Sequence, residues 1–286
     1  MSVIDFSIIV PFFNQEKTIK ACIEGLLDQE YPKDRYEIIC VDNNSVDGSY
    51  SIINKYPSVI LIQEKAQGAY IARNAGILKS SGTFLVFSDA DVKTPKSWLS
   101  NIHFAISKGN FDITIGWYWP VGTARLLQIH SLLVCERIKI ALKRKQVSMI
   151  TASASNLIIK KSVFEKEGLF MNLPRSEDKY FVLRCFEKGY NIGFDEKIGV
   201  VRNDIDSLGV ALLKNLTYGY ANALYINREF SFIDGVMWKF VIKYFPVGLG
   251  LILFSFFYYS GYCFGRLRRG IKVFLKNGVP GLKSKV

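Results

Sequence analysis

The chain has 286 residues, 49% hydrophobic and 22% charged, which is enough apolar material for a sizeable core and too much for a mostly disordered chain. Its formal net charge is +12, unevenly spread: residues 1–205 carry 26 basic and 22 acidic side chains, residues 206–286 carry 11 and 3. Five cysteines without a C-x-x-C pair and only two histidines, His103 and His130, argue against a zinc site and for a reducing compartment.

The opening Met-Ser-Val-Ile-Asp-Phe lacks a basic stretch leading into an apolar one, so no cleaved signal peptide is expected. Phe6–Val10 is an apolar, β-branched run that predicts a buried strand stopped by Pro11. Ile19, Ile23, Leu26 and Leu27 recur at helical spacing within Glu16–Asp28. Tyr36–Val41 predicts a second strand, followed by turn chemistry from Asp42 to Gly48. A helix over Ser49–Lys55, a strand over Val59–Ile62, a helix over Ala69–Ser80 and a strand over Thr83–Ser88 complete this part, which ends in Asp89-Ala-Asp91. Such alternation predicts a parallel α/β sheet, whose ligands bind beyond the carboxyl ends of the strands. The polar clusters Asn14-Gln-Glu16, Asp42 to Asp47 and Asp89-Ala-Asp91 all fall there.

Further on, the pattern predicts a helix over Trp98–Ser107, a strand over Asp112–Trp117 and a long helix over Arg125–Lys145, with cations at its C-terminus. A strand over Ser155–Ile159, a short helix over Lys161–Glu167 and a helix from Ser176 to Lys188, stopped by Gly189, follow. Residues Tyr244–Gly265 form a 22-residue stretch without a charge, with aromatic residues near both ends and a tail of seven basic residues beyond it. Its length suits a bilayer. A single span would carry that basic tail away from the side on which cations are favoured. A re-entrant or interfacial segment, with the tail on an anionic membrane surface, avoids the conflict.

Asp89-Ala-Asp91 carries the sharpest chemical signal. Two carboxylates one residue apart after a strand can converge on Mg2+ or Mn2+, hard cations that bridge to substrate phosphates, although such a pair is also a common turn former. Three further motifs stand in order with it: Ile9-Val-Pro-Phe-Phe-Asn14, Ile39-Cys-Val-Asp42-Asn-Asn-Ser-Val-Asp47-Gly48 and Ala72-Arg73-Asn74-Ala-Gly76. Ala152-Ser-Ala-Ser-Asn156 and Glu177-Asp178 extend the series. This ordered set resembles the family 2 glycosyltransferases over about residues 6–200.

The resemblance implies a GT-A fold, a Rossmann-like, mixed and mostly parallel sheet flanked by helices. It implies a catalytic domain over 1–205, with nucleotide-sugar binding in roughly 1–95 and acceptor binding and catalysis in roughly 96–205, ahead of a helical region over 206–286. It implies that Pro11, Phe12 and Asn14 line the nucleotide pocket. Asp42 would contact base or ribose, Arg73 would lie near the nucleotide, Asp89 would face the ribose and Asp91 would hold the metal. Asp178 would be the base that deprotonates the acceptor hydroxyl, and Glu177 would bind acceptor or support that base. Ser88, and Ser176 where glycine often precedes Glu-Asp, depart from common family patterns.

The expected activity is an inverting, metal-dependent transfer from a UDP- or GDP-sugar to a hydroxyl acceptor. A lipid-linked sugar or a polysaccharide at the cytoplasmic membrane face is the expected acceptor class. A nucleotidyltransferase would want a Gly-rich phosphate loop after the first strand, and Pro-Phe-Phe-Asn-Gln-Glu is not one. A nucleic-acid-binding protein would spread its cations over the folded domain, whereas here they gather beside the apolar run, so no nucleic acid is expected as partner. Trp117, Tyr118 and Trp119 suit stacking on an acceptor, a core position or a membrane interface equally.

Overall fold

In the computed structural model, residues 4–120, 125–146, 150–173 and 176–202 are described, together with scattered positions between 213 and 266. The contacts divide the chain into two compact units, residues 1–123 with 134–205, and residues 124–133 with 206–286.

The first unit is built on one sheet. Among the described residues its strands are β1 (Phe6–Phe12), β2 (Tyr36–Asp42), β3 (Val59–Gln63), β4 (Phe84–Ser88), β5 (Val92–Lys93), β6 (Ile113–Pro120), β7 (Asn156–Lys160) and β8 (Ile192–Arg202). The helices are α1 (Ile19–Leu27), α2 (Ser49–Ile53), α3 (Ala69–Lys79), α4 (Trp98–Gly109), α6 (Lys161–Glu167) and α7 (Glu177–Glu187), with α5 (Arg125–Arg144) divided between the two units. The sheet order is β3-β2-β1-β4-β7-β6-β8-β5. Pairings β1–β2, β1–β4 and β2–β3 are parallel, as the alternation predicts. Beyond β4 the sheet is mixed, because β7 runs antiparallel to both β4 and β6, while β6 and β8 run parallel. The simple parallel reading therefore holds only for the first half.

Pro11 does not stop β1, which continues to Phe12. Pairing with β4 ends at Ile9 and Phe87, so the last residues of β1 form an edge on that side. An edge position tolerates a residue without an N–H. Sequence reasoning missed β5 and β8. The polar run Asp195-Glu-Lys197 breaks the apolar pattern of β8, and the register against β6 jumps there, from Ile115–Phe194 to Trp117–Gly199.

Alternation along β1 and β2 feeds two cores. Phe6, Ile8, Val10 and Phe12 of β1, with Tyr36, Ile38 and Cys40 of β2, pack with Ile19, Ile23 and Leu26 of α1 and Trp98, Leu99 and Ile102 of α4. On the other face Ile39 and Val41 pack with Ala72 of α3. There α3 lies close to the sheet: a Cβ on Gly76 would stand 2.5 Å from Cγ2 of Ile9. A methyl group at that position would push the helix away and withdraw Arg73 from the sheet.

Within 244–265, the described positions Ile252, Ser255–Ser260, Tyr262 and Cys263 are helical, and Phe256 is exposed. The rest of the expected membrane segment, and the basic tail beyond Arg266, lie outside the described residues. Among the described residues no helix is long and apolar enough to cross a membrane.

Candidate functional site

Topology assembles the site on one rim. β1, β2 and β4 end there, β7 begins there opposite Ser88, and β6 and β8 run with β4 and end there too. Asn14, Asp42, Asp89, Ser155 and Arg202 thus reach one edge of the sheet from distant parts of the chain.

The loops after β1 and β2 hold each other through short polar side chains. Asn14 has φ 53°, its N–H donates to Ser45 Oγ (3.0 Å) and its Oδ1 accepts the Val46 N–H (2.9 Å). Asp42 is buried and its Oδ1 caps the turn by accepting the Ser45 N–H (3.0 Å). Asp47 Oδ2 accepts the Glu16 N–H (3.1 Å), and the Ser49 hydroxyl beside it holds its carboxyl below the usual range. Phe12 faces the core at 3% exposure, leaving its backbone at the rim, where its carbonyl accepts the Asn43 N–H (2.8 Å).

The Asp89–Asp91 pair is unevenly satisfied. Asp89 Oδ1 accepts from Arg73 Nη2 (3.0 Å) and Oδ2 from Ser155 Oγ (2.5 Å). Asp91 Oδ2 accepts from Arg202 Nε (3.2 Å), while its Oδ1 is buried with no hydrogen-bond partner. Burial would raise both carboxyls. Arg73, Arg202 and the Ser155 hydroxyl reverse that for Asp89 and hold it below the ordinary value. Asp91 stays above it, pushed by burial and by Asp89 against the pull of Arg202.

Each residue of Ala72-Arg73-Asn74 does a separate task. Ala72 packs on the sheet. Arg73, 8% exposed, reaches Asp89 through one amino nitrogen and Glu177 Oε1 through the other (2.5 Å). Asn74 pairs with the main chain of Phe170, donating from Nδ2 (2.9 Å) and accepting at Oδ1 (3.1 Å). Phe170 belongs to an aromatic cluster with Phe87 of β4, Phe164 of α6 and Phe181 of α7, with centroid separations from 4.7 to 5.9 Å. This packing anchors α7, whose first residues are Glu177 and Asp178. Asp178 Oδ2 accepts the Ala154 N–H (2.7 Å) and Oδ1 the Lys179 N–H (2.7 Å), so backbone donors aim the carboxylate. Burial and Asp178 push Glu177 upward against Arg73. Burial also lowers Lys179 to about 8. Ser176 caps α7 at φ 65°, in the left-handed region, which gives the glycine common at that place a backbone reason.

The donor set fits a divalent cation. Asp91 Oδ1 is a buried carboxylate oxygen without a hydrogen-bond partner, the kind of hard ligand Mg2+ or Mn2+ takes. Among the described residues no group of three or more His, Cys, Asp or Glu forms an all-protein cage. Such ions ordinarily complete their shell with substrate phosphates and water.

Sequence reasoning missed Ser155 and Arg202. Ser155 stood inside a quoted motif without a role, and Arg202 ends the strand that was not foreseen. Asn156 beside it is structural: it is 1% exposed, donates to the carbonyls of Trp117 (2.8 Å) and Ile198 (2.6 Å), and accepts from Trp98 Nε1 (3.2 Å). Of the three neighbouring aromatic residues, Trp117 is buried, Tyr118 packs against the core and Trp119 is 43% exposed.

A mixed α/β sheet with flanking helices and carboxylates gathered on its C-terminal rim is a GT-A-like arrangement. Residues 7–168 match the family model described as Glycosyl transferase family 2, and the chain belongs to that family. It is 32% identical over 197 residues to Glycosyltransferase AglE of Haloferax volcanii, a match covering 66% of this chain and 63% of AglE. In fold it is similar to Staphylococcus aureus TarS residues 1–349, with a TM-score of 0.59 at 18% identity over 96% of this chain and 92% of that one. It is also similar to the mannosyltransferase PcManGT of Pyrobaculum calidifontis, solved with GDP-Man and Mn2+, with a TM-score of 0.60 at 17% identity over 96% and 75% of the two chains.

Proposed function

We propose that the protein is an inverting, metal-dependent glycosyltransferase that moves a sugar from a UDP- or GDP-sugar to a hydroxyl acceptor. The single observation that carries this is Arg73, which ties the Asp89 carboxylate at the end of β4 to Glu177, next to Asp178 on α7. One buried guanidinium thereby sets the carboxylates of the donor side against the carboxylates of the acceptor side.

In this reading Asn14 and Asp42 lie on the nucleotide side, with the backbone of Pro11 and Phe12, and Asp89 faces the ribose. Asp91 would hold Mg2+ or Mn2+, which when bound supplies positive charge to the leaving diphosphate. Asp178 takes the acceptor proton as the acceptor oxygen attacks the anomeric carbon and the bond from that carbon to the diphosphate breaks. Its two backbone donors fix the direction from which it does so. One displacement inverts the anomeric configuration.

The complex of PcManGT with GDP-Man and Mn2+, and a TarS structure solved with UDP-GlcNAc, support a nucleotide-sugar donor and a divalent cation. The name of TarS, poly(ribitol-phosphate) beta-N-acetylglucosaminyltransferase, supports a polymeric acceptor, and a Methanococcus voltae relative named for a dolichyl-phosphate-linked sugar acceptor supports a lipid-linked one. The charge-free stretch 244–265 and the basic residues after it favour work at the cytoplasmic membrane face, on an anionic lipid surface.

A screen of UDP- and GDP-sugars with Mn2+ or Mg2+ tests the reading. At least one donor should be bound and slowly hydrolysed. D178N should lower transfer by about 10²–10⁴-fold with donor binding retained. D91A should abolish transfer and weaken metal-dependent donor binding as well. A wild-type protein that binds and hydrolyses no donor would overturn it.

A further inference from the structure

Arg202 is placed against Asp91 by the fold. The two-residue strand β5 pairs antiparallel with the end of β8, Val92 opposite Arg202 and Lys93 opposite Val201. Backbone pairing therefore sets the guanidinium beside the carboxylate one residue before Val92. Its Nε donates to Asp91 Oδ2 (3.2 Å) and its Nη1 to Ser155 Oγ (3.4 Å), the hydroxyl that itself donates to Asp89. Both Asp91 and Arg202 are 25% exposed at the side chain, so the pair is partly shielded but open to exchange.

The two oxygens of Asp91 are unlike. One is held by Arg202 and the other is buried without a partner. A carboxylate engaged this way has half of its capacity reserved. A divalent cation taking the other oxygen would bring a second positive group onto the carboxylate that Arg202 already holds. The two cations repel at that range, and repulsion is strong in a partly desolvated site. Metal binding and the Arg202–Asp91 pair are thus opposed unless an added anion takes up the guanidinium. A diphosphate is such an anion, and arginine forks bind phosphate oxygens well.

We infer that Arg202 is the internal counter-cation of Asp91, which competes with the metal and is released only when a nucleoside diphosphate arrives with it. This rests on the glycosyltransferase reading and adds an order of events to it. Metal alone binds poorly, nucleotide and metal bind together, and the positive coupling between them passes through Arg202. By reciprocity the metal raises nucleotide affinity by the same factor.

The test is Mn2+ binding to the full chain, followed by the EPR signal of free Mn2+, without nucleotide and with UDP or GDP. In the wild type, nucleotide should tighten Mn2+ binding. R202Q should bind Mn2+ alone more tightly than the wild type, by about 5-fold or more, and should show a smaller gain from nucleotide. R202K keeps a cation but loses the Nε hydrogen bond, so its tightening should be smaller, which gives a second reading if R202Q folds poorly. D91N should remove the site in every background. Mn2+ affinity without nucleotide that is unchanged or weakened in both Arg202 variants would overturn the inference and leave the glycosyltransferase reading intact. A wild type that takes up no Mn2+ even with UDP and GDP would overturn the inference through the reading beneath it.

Discussion

The two halves of the sheet use polar residues in opposite ways. In β3-β2-β1-β4 the side chains of Asn14, Asp42, Asn43 and Asp47 bond backbone N–H and C=O groups, so the loops are shaped by contacts between side chains and main chain. At the junction with β7-β6-β8-β5 the contacts are between charges: Arg73 with Asp89 and Glu177, and Arg202 with Asp91. The first half shapes a pocket from short-range turns. The junction completes it with long side chains from elements far apart in sequence. Loop variants should therefore disturb ligand affinity, and variants of the charged junction should disturb stability and turnover together.

The largest effect is expected from R73M. It leaves Asp89 and Glu177 without their shared cation, in a place where the Arg73 and Glu177 side chains are 10% and 9% exposed. Removing one partner of a buried ion pair costs about 3–5 kcal/mol. Urea unfolding should show a loss of that order, and R73M/E177L should recover part of it, because one stranded charge is then gone. A loss under about 1 kcal/mol in R73M would mean that the junction does not rest on charge pairing.

Much of the first half was legible because its signals are local. A strand ending in Asp42 or in Asp89-Ala-Asp91 announces its own rim position, and the order of these motifs supplied the fold. The junction was less legible because its partners meet only through tertiary structure. The expectation for Arg73 is a place near the nucleotide, and its contacts, with carboxylates 16 and 104 positions away, have no local signal. Ser155 and Arg202 had no local signal. Arg202 depends on β5, which is only two residues long, and on a strand whose register jump hides its alternation.

Lys179 gives the next largest effect. Burial lowers it to about 8 from an ordinary 10.5. The folded state therefore holds this proton less tightly than the unfolded chain. Its penalty is fully present below pH 8 and fades as pH rises from 8 to 10.5, so this group's contribution makes stability increase with pH in that window. The penalty amounts to about 3 kcal/mol. K179M should be more stable than the wild type at pH 7, and the gap should narrow toward pH 10. Because other groups titrate alike in both proteins, the difference between their urea midpoints isolates this one. A gap that stays flat from pH 7 to 10 would show that Lys179 is not held against its charge.

The mildest of these variants is N43A, in the loops of the first half. Asn43 is 5% exposed, donates from Nδ2 to the carbonyls of Glu64 (3.1 Å) and Ala66 (2.7 Å), and accepts the Gly68 N–H at Oδ1 (2.9 Å). It therefore ties the loop after β3 to the end of β2, just ahead of α3. N43A should cost about 1–2 kcal/mol, since a net hydrogen bond is worth about 1 kcal/mol and the freed groups can reach water at the rim. Its kinetic signature matters more than its size. A loosened loop on the nucleotide side should raise donor KM several-fold while kcat stays near the wild type, because Asp178 and its backbone donors lie on the other side of the junction. If kcat falls as much as KM rises, the two halves are not separable in the way their contacts suggest, and the loops would then help to align the base as well as to hold the donor.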